Sequence, residues 1–358
     1  MSISNEIQKY RQEIKSERMD MSFGEIINMY RDKEIIISPE YQRAFRWDQQ
    51  RQSDFIESIL LGIPFPSIFV ATNADGKWEL IDGLQRVSTI LAFFNELKDE
   101  KGKSYPKNGL KLLEGSLIKG LKDITIDTLP LEYKLQIKRT PCRVEIILKE
   151  SEFKMRYELF KRLNTGGEGL SRQEIRNCIF RGLDSRYNDF IAQLSCNKVF
   201  REIVNISKSN EEMMYYEELI LRYLVLKNKG TRYNQANIQD YMDDYLENQC
   251  RYFDKNQVEA DKNLFERIME VLNKLKEQNI FKLGRRYFTT SMYDAIMLSL
   301  SENSVDLQQI DINKLGKQIV QLKGSTEFNK YVGSASSNPT SITNKVKIAK
   351  QILLGITE

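Results

Sequence analysis

The stretch KWELIDGLQRVSTILAFF, residues 77–94, changes its period halfway along. Trp78, Leu80 and Ile81 read as a short strand, whereas Leu84, Val87, Ile90, Leu91 and Phe94 recur at helical spacing. The join is Asp82-Gly83, with Gln85 and Arg86 in the first helical turn. A helix N-terminus gathers unpaired N–H groups and the positive end of the helix dipole, which makes such a corner a candidate anion site. Gly83 would let a bound group come close to the backbone, Asp82 would cap the helix, and Arg86 would reach a phosphate with two N–H groups. A plain cap and turn has the same pattern, so spacing alone leaves both readings open. The corner has no Walker lysine: Gly102-Lys103-Ser104 would need glycine at position 97, where Leu97 stands.

Outward from the corner, strand and helix signals alternate. Helices are expected over 23–33, 49–63, 84–97, 127–139, 151–164 and 171–182, and strands over 34–38, 67–72, 77–81 and 141–149. NADG joins the two central strands as a hairpin-type turn, and Ser151 and Ser171 stand at helix N-cap positions, the second with Glu174 in capping-box spacing. After Leu183 strand signals nearly vanish, and long amphipathic runs at 210–228 and 262–278 point to helices only. The expectation is an α+β domain over 1–183, with a small mixed sheet and flanking helices, followed by an all-α domain over 184–358.

Composition narrows the chemistry. The 358 residues include no histidine, which excludes Ser-His-Asp and Cys-His catalysis, HExxH zinc sites and an HNH nuclease centre. Four scattered cysteines without a CxxC pair, a polar N-terminus and no apolar run of membrane-spanning length suggest a cytoplasmic protein without disulfides. Residues 1–100 carry 12 basic and 17 acidic side chains, and residues 101–200 carry 20 and 12. That basic middle suits a polyanionic partner or a solvated lysine-rich surface.

Two further stretches stand with the corner. SPEYQRAFRW (38–47) crowds Gln42, Arg43, Arg46 and Trp47, and FKRLNTGGEGLSRQEIRN (160–177) sets Arg162, Asn164, Gly166 and Gly167 between two helices. In this order the three segments resemble the N-terminal domain family of GmrSD-type restriction systems, whose signature is DGQQR and which belongs to the ParB/sulfiredoxin-like nucleotidase superfamily. The resemblance covers residues 20–183. It implies that Asp82 and Arg86 form a catalytic pair. It also implies that Gln42, Arg43, Gly83, Gln85, Arg86, Ser88, Asn164, Gly166 and Gly167 line a nucleotide and phosphate site. Asn164 and Asp82 are the implied contacts to Mg²⁺, which accompanies a nucleoside triphosphate. The implied activity is Mg-dependent triphosphate binding and hydrolysis coupled to DNA sensing in anti-phage restriction, beside a separate nuclease subunit; the sequence leaves the oligomeric state open, a homo-oligomer included. The alternative is a non-hydrolysing, nucleotide-gated DNA-binding switch, which Leu84 in place of the family's usual Gln favours.

Other features compete. Asp82 with Glu96-Leu97-Lys98 spells a D…ExK nuclease pattern, but Glu96 closes a helix where such sites use a strand. The aromatics of 213–224 are read as core before base-stacking surface, and Arg285 and Arg286 are the C-terminal candidates for a DNA phosphate contact. The sulfiredoxin reaction is set aside because no cysteine adjoins the corner in the sequence.

Overall fold

Asn73 closes the hairpin around which the N-terminal sheet is built. Its Oδ1 accepts from the N–H groups of Asp75 and Lys77, both at 3.0 Å, and its own N–H donates to the Lys77 carbonyl at 2.8 Å. The computed structural model describes all residues except 1–2, 14, 38–41, 43–44, 74, 100–101, 150–152, 164–169, 285–287, 334 and 357–358. The chain forms two compact units, Met1–Leu170 and Ser171–Glu358.

The first unit runs α1 (Ile3–Glu13), β1 (Ser16–Ser22), α2 (Phe23–Arg31), β2 (Ile35–Ile36), α3 (Gln49–Leu60), β3 (Ile68–Thr72), β4 (Trp78–Asp82), α4 (Leu84–Phe93), α5 (Leu131–Arg139), β5 (Pro141–Ile147) and α6 (Phe153–Leu163). The five strands form one mixed sheet in the order β1-β5-β3-β4-β2, with β3/β4 and β1/β5 antiparallel and β3/β5 and β2/β4 parallel. Val70 lies opposite Leu80 on one side and Ile146 on the other, and with Val144 these residues make a buried face. Phe23, Phe55 and Phe65 interlock beside it, with ring centroids 5.4–6.4 Å apart. Helix α6 packs on β4. The architecture is the expected α+β class.

Strand β1 was not foreseen, because SERMDMS has no apolar alternation and is mostly exposed. It holds its place as an edge strand through its antiparallel backbone ladder to β5, with charges matched across the two strands. Arg18 lies opposite Glu145 and Asp20 opposite Arg143, and both pairs close as ion pairs, at 2.9 and 3.1 Å. The helices expected to end at 97 and 63 stop earlier, at Phe93 and Leu60. The cap expected from Ser151 lies outside the described residues.

In the second unit every described element is helical. The second unit opens with the helix Arg172–Phe180, whose charged side chains bind it to other helices of that unit. It opens with the expected capping box: Ser171 Oγ accepts from the Glu174 N–H, and Glu174 returns the bond to the Ser171 N–H. Arg176, fully buried, donates to Asp243 at 2.6 Å and to the Gln239 carbonyl and side chain at 3.0 and 2.6 Å. The helix Tyr215–Lys229 is set apart from the preceding turn by Met214, at φ 59°, so the expected 210–228 helix is broken there. Of the aromatics in 213–224, Tyr216 and Tyr223 are buried in the core, as expected, and Tyr215 is half-buried. Arg222 and Asp294 pair within that core at 2.6–2.7 Å. No described helix is long and apolar enough to cross a membrane.

Candidate functional site

β4 ends at Asp82, Gly83 turns the chain, and α4 starts at Leu84. Gly83 is the helix N-cap in the left-handed conformation, φ 97° and ψ 14°, and no side chain caps the helix. Asp82 is therefore not the cap expected from the sequence. Its carboxylate accepts instead from Arg86 Nη2 at 3.0 Å. The glycine also has a different reason from the expected one. A Cβ at Gly83 would lie 2.6 Å from Ile68 Cγ2, so β3 itself fills the space next to the backbone. Gly83→Ala should cost about 2–4 kcal/mol, part from the left-handed backbone and part from overpacking. Urea unfolding checks this: Gly83→Ala with Ile68→Ala, which removes Cγ2, should recover only the packing part relative to Ile68→Ala alone, and a loss below about 1 kcal/mol for Gly83→Ala would contradict it.

Arg86 is less exposed than a first-turn arginine on a free surface, with 12% of its side chain accessible. Its Nη1 donates to the Pro66 and Ser67 carbonyls, the latter at 3.1 Å, while Nη2 holds Asp82. The guanidinium thus ties the segment before β3 to the end of β4. Burial pushes the Asp82 carboxyl above its ordinary range, with Arg86 pulling the other way.

Gln85 and Gln42 are also held by protein groups. Gln85 Oε1 accepts from the N–H groups of Arg46 and Trp47, at 3.1 and 3.0 Å. Gln42, buried, donates from Nε2 to the Lys98 carbonyl at 2.5 Å. Lys107, which the sequence did not single out, donates to the Phe45 carbonyl at 2.6 Å and lies 4.2 Å from the Phe45 ring centroid. Burial lowers its pKa, with Asp48 opposing. The described end of the first motif is therefore fastened onto the first turn of α4, so two of the three motif segments meet. Ser88 Oγ is buried in α4 with no hydrogen-bond partner among the described residues. Arg43, Asn164, Gly166, Gly167, Arg285 and Arg286 lie outside the described residues.

The surroundings adjust two other readings. Glu96 pairs with Arg31 at 2.5 Å, which removes it from any D…ExK arrangement with Asp82. Cys142, on β5, is buried within the electrostatic influence of Arg86, so a cysteine does stand near the corner in space. Burial pushes its thiol up to about 11, which keeps it protonated and a poor nucleophile. Across the sheet, burial raises Glu79 and lowers Arg156, each acting against the other's field. No three Asp, Glu, Cys or His groups converge as a metal cage among the described residues. Asp82, already paired with Arg86, does not form a metal site by itself.

This corner offers an anion the uncapped start of a helix, flanked by a guanidinium and a partly buried carboxylate. Searches of curated proteins and of solved structures found no significant match. A comparison with protein families matches residues 23–181 to the family described as GmrSD restriction endonuclease, N-terminal domain. The match takes in α2 through α6, the corner and the helix that Ser171 opens. Over residues 23–181, somewhat less than half of its length, the chain is similar to the GmrSD restriction endonuclease N-terminal domains, and the match supports that family.

Proposed function

We propose that the chain binds a nucleoside triphosphate at the Asp82–Arg86 corner and works within a DNA restriction system, where a separate subunit cuts the DNA. The family match supports the setting. The observation that carries the site is the start of α4: its N-terminus has no side-chain cap, and Arg86 stands in its first turn. The first-turn N–H groups would take phosphate oxygens, and Arg86 would add charge while keeping the corner closed against Pro66 and Ser67. Asp82 would orient water or accept a proton, its raised carboxyl lying nearer the working range for that task. Mg²⁺ would arrive on the triphosphate, which supplies ligands that Asp82 alone does not.

Phosphate release from each of the four nucleoside triphosphates with Mg²⁺, with and without DNA, tests the reading. We expect turnover that rises with DNA, and an Arg86→Lys variant that binds nucleotide about 10–100-fold more weakly, because lysine keeps the charge without the fork. Binding of none of the nucleotides would overturn it. A second reading, a nucleotide-gated switch without hydrolysis, has its own support: Leu84, where the family usually carries Gln, is only 4% exposed and packs into the core. Tight binding without phosphate release would select it. In either case the pure chain with Mg²⁺ should leave DNA uncut, and nicking that disappears in Asp82→Asn would contradict this.

A further inference from the structure

A cleft of about 660 Å³ opens in the second unit, at the end of the helix Tyr215–Lys229 and along the helix Pro339–Leu354. Five basic side chains line it, Lys227, Lys229, Arg232, Lys347 and Lys350, against one acid, Glu302. The acids within reach are already used. Glu302 pairs with Lys350 at 2.6 Å, and Asp261, behind the wall, pairs with Lys227 at 2.5 Å. Lys229, Arg232 and Lys347 have no ion-pair partner among the described residues, so the cleft carries an uncompensated positive field. Lysines in the last turn of a helix are accounted for by its dipole, which covers Lys227 and Lys229. That account does not reach Arg232, beyond the helix end, or Lys347, inside the Pro339–Leu354 helix.

The rest of the lining is suited to hydrogen bonding. Thr231 and Thr343 share a hydroxyl contact of 2.8 Å, Ser301 and Asn303 add polar groups, and Leu226, Leu298 and Val346 give a small apolar surface. The volume falls in the range of small-molecule sites and is too small for a duplex to enter. We propose that this cleft binds a nucleotide phosphate, the group shared by a free nucleotide and a single nucleic-acid strand. Lys229, Arg232 and Lys347 receive the phosphate charge, and the polar and apolar wall receives the sugar and base. This site lies wholly within the second unit and does not depend on the Asp82–Arg86 corner.

The test uses the full chain and a fluorescein-labelled 12-nucleotide oligo-dT strand, with anisotropy read across a salt series. Three phosphate contacts on a single strand predict a slope of about −2 in log affinity against log salt. Lys229→Gln, Arg232→Gln and Lys347→Gln together should lower affinity at least tenfold and flatten the slope. All three are exposed, so the fold should persist, and a thermal melt checks that. A control with Lys314, Lys317 and Lys330 changed to Gln removes the same charge from exposed positions of the same unit and should bind like the parent. Competition by thymidine monophosphate would assign the cleft to free nucleotide, and its absence to the strand. Equal binding by parent and cleft variant, equal loss in the control, or no binding of either probe would overturn the proposal.

Discussion

Arg176→Met should lower the stability of the Ser171–Glu358 unit by about 3–5 kcal/mol, the usual cost of stranding one partner of a buried ion pair. The side chain is fully buried, and its N–H groups bind Asp243, Gln239 and, at 3.3 Å, Gln173. Without it, Asp243 keeps only Arg172 as a charged partner among the described residues, at 3.0 Å, while remaining buried. Changing both ends, Arg176→Met with Asp243→Leu, should recover much of the loss, because an apolar pair replaces an orphaned charge. Urea unfolding of the full chain, followed by a probe in each unit, checks both variants. A loss below about 1 kcal/mol for Arg176→Met would mean that the network does not hold the unit together.

In the first unit, Glu57→Gln should cost about 3 kcal/mol. The Glu57 carboxylate lies under the loop 115–118 and accepts from the N–H groups of Ile118, Leu117 and Ser116 and from the Ser116 hydroxyl, at 2.6–3.1 Å. An amide keeps one oxygen acceptor and sets an N–H₂ against these donors, which leaves several of them unsatisfied. Gly115 is part of the same fit, since a Cβ there would stand 2.2 Å from Glu57 Oε1. The N–H groups of this loop, led by that of Ile118, hold the carboxyl below its ordinary 4.5 despite burial. A depressed folded value means stability that is present above pH 4.5 and is lost as pH falls through the folded pKa. Melting temperature against pH should therefore fall more steeply below pH 4.5 in the parent than in Glu57→Gln, and parallel curves would contradict the assignment.

Apolar spacing made much of this legible. The hairpin, the strand-to-helix corner and the helical second half follow from periods of 2 and 3.6 that the sequence displays openly. What stayed hidden depends on polar groups whose partners are far away in the chain. β1 pairs with β5, where Arg18 and Asp20 face charges 127 and 123 positions later, and no hydropathy pattern marks such a strand. Arg176 looks like a surface residue in the sequence and is a buried anchor within the unit that begins at Ser171. At the corner, Arg86 was read as a free phosphate ligand, yet its carbonyl partners stand 19 and 20 residues earlier. Gly83 was rightly singled out, but Ile68 and a positive φ require it, and neither is visible locally.

Hydrogen exchange at the start of α4 tests the nucleotide corner most directly. The first-turn amides of a helix lack intrahelical acceptors, and no side chain caps this one, so the amides of Leu84 and Arg86 should exchange readily in the free protein. Adding the nucleoside triphosphate with Mg²⁺ should slow a peptide spanning residues 82–88 by about tenfold or more, as expected when phosphate oxygens take those N–H groups. The Arg86→Lys variant should show that protection only at much higher nucleotide concentration. Unchanged exchange at 82–88 under conditions where the nucleotide binds, or protection confined to another part of the chain, would contradict the account.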